Sequence, residues 1–216
     1  MTINITNEKN NYPERISDFE KGLVSFLESH NLPTEGIFNS VNERLRVFYN
    51  IDYVIDQIEP TLSQKSIYLS KFLAASASGL FDASLNYLWD ETILQLRKRV
   101  AQFDLEYFYD NTVGGDRRKN FKSEEDLVKL QDSELINGAR EIELISEVGY
   151  KHLTYINYMR NWVSAAHPNQ NEITGLQLIS WLETCIREVI SLPIPSAAIQ
   201  IKKLLSNIKK GIRAVK

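Results

Sequence analysis

Residues 155–167 read Tyr-Ile-Asn-Tyr-Met-Arg-Asn-Trp-Val-Ser-Ala-Ala-His, from Tyr155 to His167. No glycine or proline interrupts them, and Pro168 follows at once, a residue that disfavours helical geometry at His167. The stretch is therefore the end of a helix. At about 100° per residue, Arg160 and His167 lie about 20° apart around its axis, with Asn157 and Ser164 within about 60°. Tyr155, Tyr158, Trp162 and Ala165 fall on the other side and read as the core-facing side. The expectation is a helix that turns a guanidinium and an imidazole away from the face that packs. The plainer alternative is a surface arginine and a histidine capping the helix end.

Arg160 and His167 are separated by six residues, the first of which is Asn161. This resembles the R-x4-6-H signature of the HEPN superfamily, helical proteins that are often metal-independent ribonucleases and frequently carry asparagine directly after the arginine. The resemblance implies an all-α, HEPN-like four-helix core in the C-terminal half. It also implies His167 as general base or acid, Arg160 as phosphate clamp and Asn161 as support, with no cofactor and a 2′,3′-cyclic phosphate product. It implies further a role in phage defence or as a toxin of the abortive-infection kind, under an inhibitory or triggering protein partner. The residue types suit that chemistry. An imidazole titrates near neutrality and can take the 2′-hydroxyl proton, and a guanidinium offers a rigid fork of donors to a phosphate.

Seven residues of helix rise about 10.5 Å, and side chains lean toward the helix N-terminus. Arg160 and His167 of one chain therefore have difficulty meeting on one phosphate. Two such helices crossing antiparallel near Val163 and Ser164 bring each arginine toward the other copy's histidine, and Ser164, Ala165 and Ala166 are small enough for close approach. A homodimer with a composite site is expected, with RNA as substrate. The competing expectation is a non-catalytic helical module that senses or scaffolds a protein or nucleic-acid partner.

The chain has 216 residues, 43% hydrophobic and 25% charged, enough for one packed core or a core with a smaller subdomain. A net charge of −3 excludes a polycation that binds nucleic acid by average charge alone. Basic charge is concentrated at the end: Lys202, Lys203, Lys209, Lys210, Arg213 and Lys216 fall between Pro195 and Lys216, with no acid among them. That amphipathic tail is expected to pack its apolar stripe on the bundle, with a membrane-surface role as the alternative. The single cysteine, Cys185, excludes an internal disulfide and reads as a small buried hydrophobe. The three histidines, His30, His152 and His167, show no metal-ligand spacing, and no metal is expected. No apolar run approaches the roughly 18 residues of a membrane span, and the polar N-terminus lacks a signal-peptide core, so a reducing cytoplasmic setting is expected.

Taken in order, residues 1–12 read as a polar arm and Pro13 opens a helix that Asn31-Leu-Pro33 stops. Thr34-Glu35 reads as the start of a second helix to about Ile58, broken by Glu59-Pro60. A third spans about Ser63–Ala77, and the small run Ser76–Gly79 marks a turn or a close crossing. Leu80–Asp110 carries the longest helical pattern. On it Asp82, Asn86 and either Asp90 or Glu91 share a face, a second polar line toward the Arg160 site. Phe103, Tyr107, Phe108 and Tyr109 read as core. Asn111–Asn120, with two glycines and three consecutive basic residues, reads as a flexible, positively charged loop. It separates an N-terminal helical region, 1–110, from a HEPN-like domain, 121–216, although the two can pack as one unit. Ser123 followed by acids starts a helix, as does Asp132; the motif helix spans Glu147–Ala166, and another spans Ile173–Ile190. His30 reads as a helix-end cap, His152 as a core or surface histidine, and Glu141, Glu143 and Glu147 as a solvated acidic face. No stretch shows β alternation, so the fold class is all-α, a helical bundle.

Overall fold

The computed structural model describes residues 12–163 and 172–191, and these are helical with no strand among them. α1 covers Tyr12–Ser29 with Pro13 in its first turn. α2 covers Val41–Ile55. Its start is fixed by Ser40, whose side chain accepts the Glu43 N–H, so the helix begins later than Thr34-Glu35 would place it. A single turn, Pro60–Ser63, precedes α3, Ile67–Ser78. Gly79 ends α3 in the left-handed conformation, φ 78°, which a residue without Cβ adopts at low cost.

The longest pattern is not one helix. α4 runs Phe81–Phe103, then Asp104 turns extended and its carboxylate accepts the Tyr107 N–H, capping a new helix, α5, Leu105–Thr112. Hydrophobic spacing continues across this break, but a local side-chain bond to the backbone outcompetes the continuing helix. Residues 111–120 are not a bare flexible loop either. α5 extends to Thr112, and Gly115–Asn120 forms a 3-10 turn whose basic residues are held. Arg117 bridges to Glu134, Arg118 to Asp110, and Lys119 to Asp116. A second 3-10 turn, Glu124–Lys129, follows Ser123. α6 spans Asp132–Glu141, α7 Glu147–Val163, and α8 Gly175–Cys185, where Thr174 and Gln177 cap each other's backbone. The turn after α8, Ile186–Ile190, is π-helical rather than a continuation of the α-helix.

The chain divides into two compact units, each discontinuous in sequence: 1–91 with 156–186, and 92–155 with 187–216. In the first, α2 packs along α8, and Val47, Phe72, Leu85, Leu88, Trp89 and Leu182 are buried. Each such side chain contributes about 1.5–3 kcal/mol relative to exposure. The same unit buries Arg44, which pairs with Glu20 of α1; burial lowers the arginine's pKa. In the second, α5 packs on α6 around Phe108, Tyr109, Leu135 and Ile136, while Tyr107 remains half exposed. Cys185 is buried and reduced, as its helical context indicates. No described helix is long and apolar enough to cross a membrane.

Candidate functional site

The motif helix packs on the side opposite to the one its aromatics mark. Leu153 and Ile156 are buried, whereas Tyr155, Tyr158 and Trp162 are about half exposed, at 51%, 56% and 46%. Those three are therefore not core. Tyr158 and Trp162 instead stack on each other at the surface, ring centroids 5.9 Å apart. Aromatic size was the misleading cue: Leu and Ile, one helical turn from one another, take the interior, and each tyrosine keeps its hydroxyl end wet.

Arg160 is thus on the packed face, about 20° from Leu153 and about 40° from Ile156 around the axis. It is partly buried and its Nε–H donates to Asn86 Oδ1 of α4 at 3.0 Å, within the first unit. Asn86 is held in turn, its Nδ2 donating to the Asp82 carbonyl at 3.0 Å. The polar line read from Asp82, Asn86 and Asp90 or Glu91 therefore meets the motif arginine at its middle member. Glu91 turns elsewhere: it is 1% exposed and accepts the Ser66 hydroxyl at 2.5 Å at the start of α3. Asn161 is exposed on the flank of α7. Asn157, one turn before Arg160, has a buried Oδ1 that accepts no hydrogen bond. His167, with Ser164, Ala165 and Ala166, lies outside the described residues, as does the basic tail from Pro195 onward.

The other histidines are placed. His30 lies at the exposed end of α1 with Nδ1 2.9 Å from the Phe26 carbonyl, the capping position. His152 is half exposed, with a covered Nδ1 3.9 Å from Glu188 Oε1. Sequence reasoning did not pair these two. The available signal was Gly149, a glycine inside a helical pattern: a Cβ there would stand 2.7 Å from Glu188 Oε2, so only glycine admits the carboxylate. Glu141, Glu143 and Glu147 are exposed, and Glu147 pairs with Arg140 and Lys151. Among the described residues, no three His, Cys, Asp or Glu side chains are grouped to hold a metal ion.

Comparison with protein-family models, with curated proteins and with solved structures returns no match for this chain.

Proposed function

We propose that this chain is a metal-independent endoribonuclease of HEPN type, acting in the cytoplasm in bacterial phage defence or as a toxin, with a composite site formed by two copies. The observation that carries the reading is the placement of Arg160. A guanidinium on the packed face of a helix loses hydration, and a cation needed only for solubility is normally left outside. Here it is drawn inward and oriented by the amide of a residue on another helix. Partly buried, oriented cations of this kind concentrate where charge must be stabilised.

In this reading the His167 imidazole removes the 2′-hydroxyl proton, and the 2′-oxygen forms a bond to phosphorus as the P–O5′ bond breaks. An imidazolium returns a proton to the leaving 5′-oxygen, so the products are a 2′,3′-cyclic phosphate and a 5′-hydroxyl. Arg160 stabilises the charge gathered on the non-bridging oxygens, and Asn161 holds one of them. Cleavage of a labelled RNA by the full-length chain tests this. The wild type should yield ends resistant to phosphatase until the cyclic phosphate is opened, and R160A and H167A should each abolish cutting without unfolding the protein. Undiminished cutting by both variants would remove the proposal.

The second reading is a helical scaffold without chemistry. What favours it is the outward aromatic pair Tyr158–Trp162, a surface of the composition that protein partners use. Wild-type protein that leaves RNA intact while binding a partner through these two rings would establish it.

A further inference from the structure

We infer that Asn86 is the positioning residue for Arg160, and that it commits the guanidinium to grip phosphate through its terminal Nη1–Nη2 edge. The inference rests on the ribonuclease reading above.

An arginine can meet a phosphate in a two-point fashion along either of two edges, Nε with one Nη, or the two Nη groups together. Asn86 Oδ1 accepts the Nε–H at 3.0 Å, which closes the first edge. The direction of the Asn86 amide is not arbitrary. Its Nδ2 donates to the Asp82 carbonyl at 3.0 Å; turning the amide over would set the carboxamide oxygen against that carbonyl and two N–H donors against each other at Arg160. The oxygen therefore faces the guanidinium. An amide also suits the task better than a carboxylate. It fixes the plane of the guanidinium while leaving its full positive charge for the substrate, whereas an aspartate at 86 would neutralise it and compete with phosphate. Both partners are partly buried and belong to one compact unit, so the geometry belongs to the fold of that unit.

The test is a double-mutant cycle in the full-length protein. Asn86→Ala should lower kcat about tenfold, the effect of one hydrogen bond lost in the transition state. In an Arg160→Ala background the same change should add nothing, because Asn86 acts only through the guanidinium. Asn86→Leu, which preserves bulk, should behave like the alanine, and Asn86→Asp should weaken binding of an all-2′-O-methyl RNA that cannot be cut. The Arg160 Nε–H resonance, identified by its loss in Arg160→Lys, should move in Asn86→Ala. Equal losses from Asn86→Ala with and without Arg160, or an unmoved Nε–H resonance, would overturn the inference. Should the wild type leave RNA intact, the ribonuclease reading fails, and the resonance alone then decides the orientation of Arg160.

Discussion

Gly175 and Glu43 hold α8 on α2 by a contact that leaves no room for a side chain. The Gly175 N–H donates to Glu43 Oε2 at 2.7 Å, and a Cβ at 175 would overlap the Glu43 carbonyl oxygen while standing 3.0 Å from Arg46 Cβ. Both obstacles are backbone or first side-chain atoms, which cannot swing aside as the end of a long side chain can. Gly175→Ala should therefore force the helices apart. Overpacking of this kind costs about 1–3 kcal/mol, and the melting temperature should fall by about 2–10 °C. Differential scanning calorimetry measures it, and an unchanged midpoint would mean that α8 approaches α2 less closely than described.

Ser66 is a second buried point where little slack exists. Its hydroxyl donates to Glu91 Oε2 at 2.5 Å and accepts the Leu69 N–H at 3.0 Å, so one atom caps α3 and satisfies a buried carboxylate. Ser66→Ala removes both. A lost cap costs about 1 kcal/mol and an unsatisfied buried acceptor about 1–3 kcal/mol, for a combined loss of about 2–4 kcal/mol. Urea denaturation should show a lower midpoint with an unchanged slope. A loss below about 0.5 kcal/mol would show that the carboxylate finds another donor.

The second unit should respond to pH at both extremes. Asp126 accepts from Lys129 Nζ at 2.6 Å and from the N–H groups of Lys122 and Ser123, and these bonds hold its carboxyl far below the usual carboxylate range. Glu134 is lowered by Arg117 and by the Gln131 N–H. A depressed carboxylate stabilises the fold fully above its unfolded value, near pH 4, and loses that contribution as pH falls through the folded one. Melting temperatures of wild type and Asp126→Asn should therefore differ most near neutrality and converge toward pH 2. Parallel curves would contradict the assignment. At the alkaline end, burial pushes the Tyr109 phenol up to about 12. Its stabilisation is complete below about pH 10, the ordinary phenol value, and is lost as pH rises through about 12. Tyr109→Phe should remove a late component from the 295 nm titration, along with the hydroxyl's 2.8 Å bond to the Ser123 carbonyl.

What the residues disclosed in advance follows a physical division. Helical class, the caps at Ser123 and Asp132's turn, the buried Cys185 and the polar line through Asn86 depend on spacing and local bonding, which a sequence carries. The orientation of α7 did not come through. Its two candidate faces each hold apolar residues, and the choice depends on how well each fits neighbouring helices; Leu153 and Ile156 fit, while Tyr155, Tyr158 and Trp162 do not. The break at Asp104 was equally hidden, because apolar periodicity runs through it and only the competing bond to the Tyr107 N–H ends the helix. The meetings of Arg44 with Glu20 and of His152 with Glu188 are tertiary, with no signature in spacing.

The composite site makes a quantitative demand that a site within one chain does not. If Arg160 of one copy works with His167 of another, R160A protein lacks every arginine and H167A protein lacks every histidine, so each is inactive alone. Mixed in equal amounts and allowed to exchange, half of the dimers pair one of each. Every mixed dimer then has one site with both groups intact and one with neither. Activity should recover to about a quarter of the wild-type value at the same total concentration, and the recovery should disappear on dilution below the dimer dissociation constant. A site contained in one chain predicts no recovery at any concentration, because no single chain in the mixture carries both groups. RNA cleavage by the mixture, followed against dilution, therefore separates the two arrangements even though both have the same motif residues.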